Sequence, residues 1–441
     1  YIPTPSYTGA DCFVWSVSDI FAASTGTISI AVIAPSAAPT PPVFKPGVKL
    51  MDGAKTLALG TRIVNGKYDF AGPVYYSDGP RNNNMVVSAP ELADWNNDGL
   101  MDLVVGQADG RIALFINKGT KGKPVFNGYE YVKLSTGRDI RTYLGGCVCQ
   151  GGGPECSAPR VVDWNNDGRK DLILGQWSGP TYGMNMFVYL NVGTDAAPVF
   201  DRKLACPLSS PSGYPTTMPF ATDWNGDGIT DLISGDNPVG SSFNALVNIF
   251  LGTRNDHGPE IVFNGDCYNY ELFNWDEYNP SGSFQTTSPT LTTTNVCPVG
   301  SRKSVVAADW DGSGKKDVIT GMQDGKVYYS PNVGTKNFPA YTNCYRLKAG
   351  GSNIVVGSIS KVGQDPAYGG QGNMLSQERF PAVNEARLAI GDLDGDGLLD
   401  LVAGELDGTL NVFYQYNPNP VAIDQAVRVL PDTAKAITLS A

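Results

Sequence analysis

The sequence predicts an all-β chain built as a β-propeller of six four-stranded blades, with room for a seventh, and three observations carry that expectation. A nine-residue acidic loop recurs five times, each copy leads into a short apolar run that ends in glycine, and an element of the form Gly-Thr-x-x-x-Pro-x-aromatic recurs farther downstream. A period of this kind describes one supersecondary unit that cannot bury its own faces and must stack on its neighbours.

The five loops align without gaps. They run Asp94-Trp-Asn-Asn-Asp-Gly-Leu-Met-Asp102, Asp163-Trp-Asn-Asn-Asp-Gly-Arg-Lys-Asp171, Asp223-Trp-Asn-Gly-Asp-Gly-Ile-Thr-Asp231, Asp309-Trp-Asp-Gly-Ser-Gly-Lys-Lys-Asp317 and Asp392-Leu-Asp-Gly-Asp-Gly-Leu-Leu-Asp400. The strand-like runs behind them close on Gly106, Gly175, Gly235, Gly321 and Gly404. A second turn and strand follow in several copies, as at Gly110 before Ile112 and Gly325 before Val327, and the Gly-Thr element occupies 119–126, 193–200 and 334–341, more loosely 252–263. Strand, loop, strand, turn, strand, loop, strand is the content of one blade. A sixth, decayed copy is expected near residue 11. Asp11 and Asp19 keep the spacing, 27–33 supplies a strand and Pro42-Val43-Phe44 the Pro-aromatic signal, but Phe13, Trp15 and Ser16 replace the ligands and the glycine. That copy is expected to keep a blade and lose its metal, so residues 1–441 are read as one propeller domain with units starting near 11, 94, 163, 223, 309 and 392.

Each complete loop offers hard oxygen donors in a tight bend, which suits calcium. The expected ligands are Asp94, Asn96, Asp98, the carbonyl of Leu100 and Asp102; Asp163, Asn165, Asp167, the carbonyl of Arg169 and Asp171; Asp223, Asn225, Asp227, the carbonyl of Ile229 and Asp231; Asp309, Asp311, Ser313, the carbonyl of Lys315 and Asp317; and Asp392, Asp394, Asp396, the carbonyl of Leu398 and Asp400. Glycine at the sixth position permits the bend. An EF-hand would need Glu at position 12 and flanking helices; that position holds Val105, Leu174, Ser234, Thr320 and Ala403, all in strand-like runs. About five calcium ions are therefore expected. The tryptophans at the second position, Trp95, Trp164, Trp224 and Trp310, read as packing residues between blades rather than as sugar platforms.

Composition agrees. The 52 glycines and 31 prolines among 441 residues, with 17% charged, suit short strands between turns. The formal charge of −11 resides largely in the loop aspartates, so it reads as metal-binding capacity rather than as a signal for a basic partner or for repelling nucleic acid; no nucleic-acid partner is expected. Eight cysteines without a Cys-x-x-Cys pair, beside a single histidine, argue against zinc and fit an oxidising compartment. Cys147, Cys149 and Cys156 in one Gly-rich insertion, and Cys267 and Cys297 around another, are expected to staple those insertions. The start at Tyr1 fits a mature secreted product, and no apolar run is long enough to span a bilayer.

On the Asp-x-Asx-x-Asp-Gly-x-x-Asp-Leu units and the element from Asn191 to Phe200, the chain resembles the FG-GAP/VCBS repeat family, whose relatives include the integrin α-subunit head. The resemblance implies a propeller fold and calcium at the five matched loops. It implies activity only loosely, because such relatives include adhesins, lectin-like modules and some polysaccharide lyases.

No catalytic constellation stands out. His257 lies in the turn sequence Asn255-Asp256-His257-Gly258 without a nucleophile motif nearby. The leading expectation is a secreted, non-enzymatic binding, adhesion or assembly protein that contacts an extracellular glycan, a protein or copies of itself. The alternative is a calcium-dependent polysaccharide lyase, in which a metal would neutralise a uronate carboxylate; against it, the five loops look alike, whereas a catalytic site should be singular. The insertion between Cys267 and Cys297, with Tyr268, Tyr270, Phe273, Trp275 and Tyr278 beside acidic residues, is the most individual candidate contact surface.

Overall fold

The computed structural model describes residues 9–18, 23–32, 41–57, 59, 62–64, 67–69, 88–107, 110–140, 157–176, 186–206, 218–235, 247–254, 261–262, 268–270, 290–293, 304–322, 324–341, 344–357, 386–405 and 408–417. Among them no helix occurs, and every regular element is a strand.

Five antiparallel sheets form five blades. The first contains Ser88–Ala93, Asp102–Gln107, Ile112–Phe115 and Glu130–Tyr131; the second Ser157–Val162, Asp171–Gln176, Met186–Asn191 and Phe200–Cys206, extended at its edge by Tyr268–Tyr270. The third contains Phe220–Thr222, Asp231–Gly235, Val247–Phe250 and Thr290–Thr293, and the fourth Ser304–Ala308, Asp317–Gly321, Val327–Ser330 and Tyr345–Arg346. The fifth takes Arg387–Gly391, Asp400–Gly404 and Leu410–Phe413 from one end of the chain and its outer strand, Val48–Lys49, from the other. The innermost strands of consecutive blades lie against one another, and that of the fifth blade lies against Ser88–Ala93 of the first. The ring therefore closes at five.

This corrects the expected six or seven. The segment read as a decayed sixth blade is a two-stranded hairpin, Gly9–Ser18 against Ala23–Val32, with Asp11 opposite Ile30 in an extended ladder rather than in a loop. Asp19 lies outside the described residues. The Pro42-Val43-Phe44 signal belongs to the fifth blade: Phe44 bridges Gln415, as Phe126 bridges Asn117 in the first blade. The segment behind Phe44 repeats the outer portion of the other blades bond for bond. Leu57 N–H donates to Leu50 O, as Ile140 does to Val132 and Ile354 to Leu347, each at 2.8 Å. The aromatic signal was sound, but its blade is assembled from opposite ends of the described chain.

Gly106, Gly321 and Gly404, at or next to the ends of second strands, owe their place to a neighbouring backbone. A Cβ on Gly106 would lie 2.7 Å from Ser157 Oγ, one on Gly321 3.0 Å from the Ala386 carbonyl carbon, and one on Gly404 2.7 Å from Ser88 Oγ. Adjacent blades approach too closely there for any side chain. Between blades the space is filled by Val, Ile, Leu and aromatic side chains in clusters that each draw on two or more blades.

The centre of the ring carries a buried ion pair. Arg160, on the innermost strand of the second blade, reaches Glu91 of the first at 3.2 Å, the Pro90 carbonyl at 3.1 Å and the Leu388 carbonyl of the fifth at 3.5 Å. Its guanidinium also lies 5.9 Å from the Phe220 ring of the third blade. Four blades thus meet on one side chain.

Candidate metal centres

Each acidic loop joins the first strand of a blade to the second, and all five share most of their hydrogen bonds. The first-position aspartate accepts the backbone N–H of the sixth-position glycine: Asp94 from Gly99, Asp163 from Gly168, Asp223 from Gly228, Asp309 from Gly314 and Asp392 from Gly397, at 2.7–3.0 Å. The third-position side chain accepts from the fifth-position N–H, as Asn96 does from Asp98 at 3.0 Å and Asp394 from Asp396 at 3.3 Å. The fifth-position aspartate accepts in turn from the seventh-position N–H in four loops, at Leu100, Arg169, Ile229 and Leu398. These are nested Asx turns, each of which bends the chain so that the next oxygen donor faces inward.

The ninth-position aspartate anchors the loop. Asp102, Asp171, Asp231, Asp317 and Asp400 are fully buried. In each, Oδ2 accepts the N–H of the second-position residue (Trp95, Trp164, Trp224, Trp310 or Leu393) at 2.7–3.1 Å. Oδ1 accepts an N–H at or just beyond the end of the third strand, from Asn117, Asn191, Gly252, Asn332 or Gln415, at 2.7–2.9 Å. Burial pushes these carboxyls up, to about 6 for Asp102, Asp231 and Asp317 and about 7 for Asp171 and Asp400, against the pull of the backbone donors.

In the fourth and fifth loops the donors converge most closely: carboxylate oxygens of Asp309, Asp311 and Asp317, and of Asp392, Asp394 and Asp400, lie within 4.8 Å of one another. Asp392 Oδ1 is buried without a hydrogen-bond partner. Such an oxygen is costly unless a cation or donor meets it, so the fifth loop fits a hard divalent ion well. The first three loops carry Asn96, Asn165 and Asn225 at the third position and, like the fourth, hold one carboxylate fewer than the fifth. In the fourth, Ser313 donates its N–H to Asp311 at 2.9 Å, so the serine keeps the turn although it supplies no charge.

Two features escaped the sequence reading. The fourth position is left-handed in every loop: Asn97 at φ 61°, Asn166 at 58°, and Gly226, Gly312 and Gly395 at 72–81°. The signal was available, because only Asn and Gly occur there and those residues tolerate that region best. The second is the hydrogen-bonding role of the asparagine that opens the Asn-x-Gly-Thr element, a residue the motif itself contains. Oδ1 of Asn117, Asn191 and Asn332 accepts two N–H groups across the outer loop, from Gly119 and Val125, Gly193 and Val199, and Gly334 and Ala340, at 2.9–3.1 Å. Acidic loop, third strand and outer loop thus form one hydrogen-bonded chain.

The second-position tryptophans do pack between blades. Trp95 stands 6.0 Å from Phe200 of the second blade and Trp310 6.3 Å from Phe44 of the fifth, ring centre to ring centre, and Trp224 Nε1 donates to the Lys336 carbonyl of the fourth blade at 2.9 Å. His257, the cysteines of both insertions, and Phe273, Trp275 and Tyr278 lie outside the described residues. Tyr268 and Tyr270 are backbone partners of Ala205 and Lys203 at the second blade's edge.

Cartilage acidic protein 1 of Xenopus tropicalis is 28% identical over 165 residues, an alignment that covers 37% of this chain and 22% of that relative, so the chain spans only a small share of the protein it matches. Residues 94–174 match the family model of the FG-GAP-like repeat. That segment runs from the first acidic loop through the second and into the strand behind it, so this part of the chain is similar to the FG-GAP-like repeat.

Proposed function

We propose that the protein is an extracellular, calcium-stabilised propeller that acts as a non-enzymatic scaffold for binding or assembly. The observation that carries this reading is the uniformity of the five loops. Every ninth-position aspartate is committed to the same two backbone donors, and none of the loops is set apart as a reaction centre would be. Bound calcium would supply the charge that cancels carboxylate repulsion within each loop, while the protein's own turns set the donors beforehand. The ligands are those of the five loops, from Asp94 to Asp102, Asp163 to Asp171, Asp223 to Asp231, Asp309 to Asp317 and Asp392 to Asp400. The relative's name, which places it in cartilage, supports an extracellular setting; a protein or glycan of that milieu, or a second copy of this chain, is the partner class.

Thermal unfolding with and without a calcium chelator tests the calcium part. An ion at 100-fold its dissociation constant stabilises by about 2.7 kcal/mol per site, so removal from several loops lowers the melting temperature by about 10 °C or more. A melt indifferent to chelator and to added calcium overturns it. Incubation with uronate-rich polysaccharides tests the non-enzymatic part, and growth of ultraviolet absorbance from unsaturated products would overturn that.

A further inference from the structure

The first and second acidic loops are joined by a side-chain bridge that belongs to neither. Asp195 sits in the Gly-Thr element of the second blade, 25 residues beyond the second loop's Lys170. Its Oδ1 accepts the backbone N–H of Lys170 at 2.7 Å, and its Oδ2 accepts Nδ2 of Asn97 at 3.0 Å. Lys170 closes the triangle: its Nζ lies 3.4 Å from Asp195 Oδ2 and donates to Asn97 Oδ1. Burial pulls the Asp195 carboxyl up, but hydrogen bonds from Lys170 and Asn97, with the lysine's charge, together outweigh it and hold the group below the usual range.

The positions joined are informative. Asn97 is the left-handed fourth residue of the first loop, between the expected ligands Asn96 and Asp98; Lys170 is the eighth residue of the second, between the Arg169 carbonyl and Asp171. The other junctions are built differently. At the place of Asp195 the first blade has Lys121, whose stem lies against Gly395 of the fifth loop, and the fourth blade has Lys336, whose Nζ lies beside Gly226 of the third. Among the described residues, a carboxylate that links two acidic loops occurs only at the junction of the first and second blades.

From this geometry we infer that Asp195 couples the first and second loops, so that calcium in one raises the affinity of the other. The inference rests on the calcium reading above. Filling the first loop fixes Asn96 and Asp98 and with them Asn97; Asn97 then holds Asp195, and Asp195 holds the Lys170 N–H between two donors of the second loop. The ordering cost of the second ion is thereby partly met by the first, which is positive coupling and must be reciprocal. Repulsion between the two ions acts across solvent-exposed loops and is screened by salt.

The test is a calcium titration of the full chain by calorimetry, with terbium luminescence sensitised by Trp164 to follow the second loop, taken as the signal lost in Trp164→Phe. Asp98→Ala disables the first loop, and the expected result is an affinity at the second loop weaker by about 5-fold or more. That loss should be absent when the same substitution is made in an Asp195→Asn background. Asn97→Gly serves as a second cut, because glycine already occupies this left-handed position in three loops; it should leave both loops competent and abolish their coupling. Unchanged affinity at the second loop after Asp98→Ala, or a loss that persists without Asp195, overturns the inference while leaving the calcium reading intact. A wild-type chain that titrates no calcium overturns both.

Discussion

Replacing Gly404 by alanine probes the seam at which the ring closes. The added methyl would lie 2.7 Å from Ser88 Oγ and 2.9 Å from Pro90 Cδ, with the Ser88 carbonyl oxygen nearer still. Carbon and oxygen in ordinary weak contact stand about 3.3 Å or more apart, and the nearest atom is backbone, so no rotamer change relieves the clash. The fifth blade must instead withdraw from the first. Overpacking of this kind costs about 1–3 kcal/mol. Withdrawal also strains the bonds across the seam, Ser88 N–H to the Glu405 carbonyl at 3.2 Å and Glu405 N–H to Ser88 Oγ at 3.0 Å, worth about 1 kcal/mol each. The expected loss is about 3–5 kcal/mol, read from urea unfolding by tryptophan fluorescence in saturating calcium. Gly128→Ala is the control. Gly128 has φ 81° with nothing within 4 Å of a built Cβ, so it should cost only the left-handed penalty of about 1–2 kcal/mol. Equal losses in the two variants, or a Gly404→Ala loss under about 1 kcal/mol, would refute the claim that backbone approach dictates these glycines.

Glu91→Gln should destabilise by about 3–5 kcal/mol, because it leaves the Arg160 guanidinium buried without its counter-charge, whereas Glu91→Gln with Arg160→Met should recover much of the loss; calorimetric melts of the four members of the cycle check this. In calcium-free buffer, stability should fall as pH rises. The ninth-position aspartates have folded-state values raised to about 6–7, above their ordinary 3.8, so their contribution is fully present below about 4 and lost as they ionise inside the fold. Calcium affinity should run the opposite way, rising from pH 5 to 7.5 as the carboxylates become available, and a pH-independent apoprotein melt would contradict the burial of these groups.

The acidic loops were legible because their chemistry is local: five copies of one spacing, each satisfied within nine residues and the strand beside it. The tryptophans were legible for a related reason, since a large apolar side chain next to an exposed loop has only the neighbouring blade to pack against. Blade number was not legible. Phe44 gives the same Pro-aromatic signal whether it ends a blade of its own or completes one begun more than 300 residues away, and nothing near it in sequence distinguishes the two. Asp195 was passed over because it follows no repeat; Lys121 and Lys336 stand at its place, and only the three-dimensional neighbours Asn97 and Lys170 reveal what a carboxylate does there.

The outer strand of the fifth blade has a kinetic corollary. Lys49 pairs with Glu405, 356 positions farther along the chain, so the first stretch of this blade to leave the ribosome must wait for the rest of its sheet. Until the third strand of that blade has been synthesised, Val48, half-exposed even in the finished molecule, lacks its ladder partner Val412. Bringing Val48 to Val412 closes a far longer loop than any hairpin within a blade and carries the larger entropy cost, and an unfilled fifth blade leaves the edge of Leu410–Phe413 open to a strand from elsewhere.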